Sequence, residues 1–134
     1  MSPACTPELR RIMVVDDDPD IRAIAEMSLA ELGGLEVMAC DSGRSAIEQL
    51  DAFGPQMVIL DVMMPELDGP GTLEVMRKVS ASEMPVVVFC TAKAYPSERA
   101  RLEQLDVAAV LSKPFDPIAL PGVVEGIWAR RSLA

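Results

Sequence analysis

Five short, almost continuously apolar runs alternate with longer amphipathic segments. This order limits the fold more than any other feature of the 134-residue chain. The runs are residues 12–15 (IMVV), 35–39 (LEVMA), 57–60 (MVIL), 86–90 (VVVFC) and 107–111 (VAAVL). A strand covered on both faces needs apolar side chains at consecutive positions, whereas a half-exposed strand alternates. The segments between carry apolar residues at helical spacing. Asp18-Pro19 opens the first, which runs through Ile21, Ile24, Ala25, Leu29 and Leu32 and stops at Gly33-Gly34. Proline suits a first helical turn, and glycine suits a helix end. Asp41-Ser42 caps a second helix carrying Ala46, Ile47 and Leu50, stopped near Gly54-Pro55. Leu73, Val75, Met76 and Val79 mark a third, expected to start late because Pro70 follows Gly69. Pro96-Ser97-Glu98 begins a fourth. Pro117 begins a fifth, through Ile118, Val123, Val124, Ile127 and Trp128.

A strand followed by a helix, five times over, predicts an α/β fold of the (βα)5 type in three layers, a doubly wound five-stranded parallel sheet with helices on both faces. Right-handed crossovers fix the side each helix takes, and the expected strand order is the flavodoxin-like 2-1-3-4-5. Ligands of such sheets sit beyond the carboxyl ends of the strands, where strands 1 and 3 adjoin. The length supports one domain over residues 1–134, with a core at about 11–130 and a short N-terminal extension at 1–10.

Composition removes whole classes of function. With no histidine there is no His general base, no Ser-His-Asp triad and no His-ligated zinc, and the chain cannot itself be a histidine kinase or a histidine phosphotransfer domain. Twenty-one acidic against 12 basic residues, net −9, argue against direct nucleic-acid binding, which depends on Lys and Arg. Three cysteines, at 5, 40 and 90, are odd in number and form no CxxC, as expected of free thiols in a reducing compartment. The first 11 residues, MSPACTPELRR, lack the apolar stretch of a signal peptide, and no apolar run approaches the ~18 residues that span a bilayer. A cytoplasmic chain without membrane insertion is expected.

The unusual residues fall at the carboxyl ends of the strands. Strand 1 ends in Asp16, Asp17 and Asp18, strand 3 in Asp61, strand 4 in Thr91, and strand 5 in Ser112 and Lys113. Singly, each has an ordinary reading: an acidic pair before a helix caps it, an Asp or Thr after a strand turns the chain, and a Lys before Pro is solvated. Together they line one rim. Adjacent strands lie ~4.8 Å apart, so Asp16 or Asp17 would share a cleft with Asp61. Such carboxylates repel one another, and a hard divalent cation relieves them; Mg2+ suits a site of few carboxylates, waters and a phosphate oxygen. A carboxylate can also act as a nucleophile and form an aspartyl phosphate. Asp61, alone on its strand and central, is the candidate nucleophile. Asp16 and Asp17 would hold the cation, with Lys113 and the Thr91 hydroxyl meeting the other phosphoryl oxygens.

With these residues in place, the chain resembles the receiver domain of bacterial response regulators, from about Arg11 to Arg130. The matching stretches are VVDDDPDIR (14–22), VILDVMMPELDG (58–69), CTAK (90–93) and LSKPF (111–115). The resemblance implies that Asp61 is the phospho-acceptor, Thr91 the switch hydroxyl and Lys113 the phosphate-pairing lysine. It also implies that Asp16, Asp17, Asp61 and the backbone carbonyl of Met63 bind Mg2+, with Asp17 a direct ligand. A cis bond before Pro114 and a turn at Met64-Pro65 and Gly69 are further expectations. The implied function is a phosphorylation-activated signalling switch of a two-component system or phosphorelay. Such a domain takes its phosphoryl group from a sensor histidine kinase or phosphotransfer protein, then binds a downstream protein partner or relays the phosphate. It catalyses its own phosphorylation and dephosphorylation but is not a turnover enzyme. A phosphorylation-dependent dimer through helix 4, strand 5 and helix 5 stays open.

The chain departs from the family pattern at Val110, where an aromatic residue usually stands, so its output surface is expected to switch differently. Tyr95 is expected to be an exposed residue of the fourth helix. Met63 offers no hydrogen bond to an attacking water and Lys93 could shield the phosphoryl group, so a long-lived phospho-form is expected. Only a few residues follow helix 5, so no output domain is expected: the chain is either a stand-alone receiver or cut from a longer regulator. Two rival functions remain. One is a receiver-like interaction scaffold without phosphorylation, against which the complete set of site residues argues. The other is a phosphohydrolase using Asp16 of an Asp16-x-Asp18 motif, which would need a water-excluding cap that the chain lacks.

Overall fold

The computed structural model describes residues 8–80, 83–93 and 95–131. Cys5 and the residues beyond Arg131 lie outside that set. The elements follow the expected order. They are β1 (Arg11–Val15), α1 (Pro19–Met27), β2 (Glu36–Cys40), α2 (Gly43–Phe53), β3 (Met57–Asp61), α3 (Gly69–Val79), β4 (Val86–Thr91), α4 (Pro96–Glu103), β5 (Ala109–Ser112) and α5 (Leu120–Arg131). All strand pairs are parallel, in the order β2-β1-β3-β4-β5.

The apolar runs divide by parity. From β1, β3 and β4, Met13, Val15, Val58, Leu60, Val87 and Phe89 pack with residues of α2, α3 and α4 on one face. Ile12, Val14, Met57, Ile59, Val88 and Cys90 pack with Ala25, Leu29 and the α5 residues Val124, Ile127 and Trp128 on the other. Each fully buried side chain of this size contributes about 1.5–3 kcal/mol relative to exposure. The edge strand β2 is only half-buried over Val37–Ala39.

The helix ends have local causes. Asp18 caps α1 through its side chain, which accepts from the Asp20 N–H, and Pro19 fills the first turn. α1 continues as a π-helical stretch over Ser28–Leu32, a widening that the apolar spacing does not announce. It carries the buried Ser28, whose hydroxyl donates to the Pro117 carbonyl and ties this stretch to the entry of α5. Ser42 caps α2, and Gly54 ends it at φ 65°, a conformation that costs glycine little.

Three expectations are corrected. α3 starts at Gly69, capped by Asp68, and Pro70 falls inside its first turn where no N–H is needed, so it does not start late. α5 starts at Leu120 rather than at Pro117. The Asp116 carboxylate accepts from the Ile118 N–H and its carbonyl from Ala119 and Leu120, which holds residues 117–119 in a turn. Ile118 is accordingly 75% exposed rather than part of the core. β5 begins at Ala109 rather than Val107, because Asp106 turns the chain at φ 63° and pairing with β4 starts only afterwards.

Candidate functional site

The carboxyl ends of β1, β3, β4 and β5 form one rim. Asp16 is held by three backbone contacts. Its N–H donates to the Cys40 carbonyl, its carbonyl accepts from Arg22 Nη1 at 2.8 Å, and its Oδ1 accepts from the Asp18 N–H at 2.9 Å. Asp16 and Asp61 are buried, while Asp17 is exposed at the mouth. Oxygens of Asp16, Asp17 and Asp61 all lie within 4.8 Å of one another.

Lys113 closes the site from β5. Its Nζ stands 2.6 Å from Asp16 Oδ2 and 3.1 Å from Asp61 Oδ1. The chain is brought there by the Lys113 N–H donating to the Thr91 carbonyl, and the Lys113–Pro114 bond is cis, as the motif implies. Thr91 is buried, and its hydroxyl accepts from the Lys93 N–H at 3.0 Å, which leaves its own proton to donate.

The electrostatics are those of a site short of positive charge. Burial and the neighbouring Asp16 raise the Asp61 carboxyl from 3.8 to about 6, although Lys113 and the Met63 N–H pull it down. Burial works against the Lys113 ammonium, but the hydrogen bonds and charges of Asp16 and Asp61 outweigh it and raise its pKa. A single lysine facing two buried carboxylates leaves a net negative site. Three converging carboxylates supply the hard oxygen donors that a small divalent cation takes.

The turn after Asp61 is built around Gly69. Its N–H donates to the Val62 carbonyl, and a Cβ there would come 2.5 Å from the Asp61 carbonyl oxygen and 2.9 Å from Val62 Cα. Met63 is 57% exposed and Tyr95 66% exposed, both along a cleft of about 780 Å3 that also takes in Lys93 and Arg101. Tyr95 precedes α4 as its N-terminal flanking residue rather than lying within it. Val110 is buried against the α2–α4 face, and its carbonyl accepts from the Arg99 guanidinium on α4. Sequence reasoning missed Arg22 and Arg99. Both act on backbone carbonyls, and although Arg22 closes the stretch 14–22, the residue type alone does not say which carbonyl it reaches.

Residues 12–125 match the family model for the response regulator receiver domain. The chain is a response regulator receiver domain. This receiver is 33% identical over 120 residues to the response regulator Rre1 of Synechocystis sp., covering 90% of this chain and 52% of that protein. It is 34% identical over 121 residues to a probable transcriptional regulator, ycf27, of Cyanophora paradoxa, covering 90% and 49%. The chain thus spans about half the length of these curated relatives. The chemotaxis protein CheY4 of Vibrio cholerae shares the receiver fold at a TM-score of 0.80, with 24% identity over 89% of this chain and 98% of that one. Among the described residues of the receiver, no helix is long and apolar enough to cross a membrane.

Proposed function

We propose that the receiver works as a phosphorylation-driven switch with Asp61 as acceptor. The observation that carries this reading is the Lys113 ammonium set between Asp16 and Asp61, with the Thr91 hydroxyl on the same rim. The Asp61 carboxylate attacks the phosphorus of a phospho-histidine on a partner sensor kinase or phosphotransfer protein. The P–N bond breaks, and its electron pair leaves with the imidazole.

Lys113 Nζ, already beside Asp61 Oδ1, offers its charge to the arriving phosphoryl oxygens, and the Thr91 hydroxyl donates to another. Asp16, Asp17, Asp61 and the Met63 carbonyl would hold Mg2+, which neutralises phosphoryl oxygen charge when bound. Transfer changes the charge at Asp61 from −1 to about −2, and this biases the receiver surface toward binding a downstream protein or passing the phosphate on. In this reading residues 11–130 act as one receiver unit in the cytoplasm, without direct contact to nucleic acid, and the domain catalyses its own phosphorylation and dephosphorylation without turning over a substrate.

Intact mass after incubation with acetyl phosphate and Mg2+ tests the proposal. The expected gain is ~80 Da, dependent on metal and absent in Asp61→Asn. No gain in the native chain would leave a scaffold that keeps the fold without the chemistry.

A further inference from the structure

At the end of the sheet opposite Asp61 lies a cleft of about 590 Å3 between the last turns of α3 and α5 and the start of β4. Its floor is apolar, from Val86, Val107, Ala108 and Ile127. Three guanidinium groups line it, Arg77, Arg130 and Arg131, against one carboxylate, Asp106. So local a positive excess is unexpected in a chain of net charge −9.

Basic residues in a last helical turn commonly serve their own helix dipole. Two of these do something else. Arg77 Nη2 reaches across to the carbonyls of Leu105 and Asp106, at 2.7 and 3.0 Å. The Arg131 guanidinium carbon lies over the Trp128 indole, 3.4 Å from the ring centre. Stacking leaves the edge of the guanidinium to seek acceptors, and Arg131 Nε is buried with no hydrogen-bond partner among the described residues. Buried donors are almost always paired, so an unpartnered donor in a side chain that lines the cleft is a reason to look for an acceptor beside it.

We infer that this cleft binds an organic phosphomonoester, with the phosphate on the Arg130 and Arg131 guanidiniums and the organic group on the apolar floor. Three positive charges against one negative match a dianion. The planar guanidinium fork fits phosphate oxygens in pairs. The volume is that of a small-molecule site.

The test is titration of the full chain with AMP, in EDTA to keep the Asp61 site out of play. The indole N–H signal of the single tryptophan, Trp128, is followed by NMR. Saturable movement below about 1 mM is expected. Arg131→Gln and Arg130→Gln should each weaken it about tenfold or more, and Arg101→Gln, in the separate cleft beside Met63 and Lys93, should not. Circular dichroism checks that the variants fold, and Arg131→Lys serves in place of Arg131→Gln if that variant does not. The proposal is overturned by no saturation up to about 10 mM, by equal binding in the arginine variants, by inorganic phosphate binding as tightly as AMP, or by tighter binding of an acidic tetrapeptide.

Discussion

Lys113 Nζ stands 3.1 Å from Asp61 Oδ1, the single positive side chain in contact with that carboxylate among the described residues. The same ammonium is closer still to Asp16, at 2.6 Å. It is therefore shared between two buried carboxylates, and burial together with the Asp16 charge outweighs it, so Asp61 stays raised despite a cationic neighbour.

Removing the lysine should expose the repulsion that it offsets. Lys113→Gln is expected to destabilise the domain by about 2–4 kcal/mol at pH 7.5, because two buried carboxylates are left facing one another. The loss should shrink at pH 5, where Asp61 is largely protonated. Thermal unfolding at the two pH values checks this; an equal loss at both would mean that packing, not charge, is what Lys113 supplies.

Asp61 itself should set a pH dependence. Its carboxyl is raised to about 6 in the folded chain from an ordinary 3.8, so the folded state binds the proton more tightly than the unfolded one. Stability from this group is present below about pH 4 and is lost as the pH rises through 6. Asp61→Asn is expected to unfold at a higher temperature than the native chain at pH 7.5, by an amount on the order of 1–2 kcal/mol, and to lose that advantage near pH 4. Labelling by acetyl phosphate should fall below pH 6, as the nucleophile protonates.

Divalent metal should stabilise through the same carboxylates. Millimolar Mg2+ is expected to raise the unfolding temperature at pH 7.5, with a gain that grows as the logarithm of metal concentration above Kd. Asp17→Asn should abolish most of the gain with little effect on the metal-free domain, since Asp17 is exposed. Differential scanning calorimetry with Mg2+ and with EDTA separates the two effects.

Gly69→Ala should damage the site through the backbone. The added Cβ meets the Asp61 carbonyl and Val62 Cα, neither of which can rotate away. A loss of about 2–3 kcal/mol is expected, together with slower phosphorylation, because the turn that aims Asp61 must shift. Unfolding by urea and the labelling rate read the two consequences in one variant.

The phospho-form should be long-lived. The Met63 side chain presents no hydrogen-bonding group at the mouth, and Lys93 lines the same cleft. Decay of the 80 Da adduct is expected over minutes or longer, and Lys93→Ala should shorten it. Loss within seconds in the native chain would remove the shielding argument.

The sequence by itself determined the fold class, the strand order and the identity of the rim. Buried parallel strands need unbroken apolar runs, and the residues that end them are placed at one edge by the chain direction alone. Asp16, Asp17, Asp61, Thr91 and Lys113 were legible for that reason. Where an element ends against its neighbour was not. The late starts of β5 and α5 follow from a turn at Asp106 and hydrogen bonds from Asp116, and the start of α3 follows from the Asp68 cap. Nor can a run such as MVIL say which side chain faces which helix, because every position is apolar and only pairing fixes the parity. The tertiary structure alone decided that Lys113 touches both Asp16 and Asp61, that Arg22 and Arg99 hold backbone carbonyls, and that Arg77, Arg130 and Arg131 share one cleft. The Lys113 contacts join residues far apart in the chain, those of Arg22 and Arg99 are more local, and the energies of all of them depend on distance and burial, which a linear pattern does not carry.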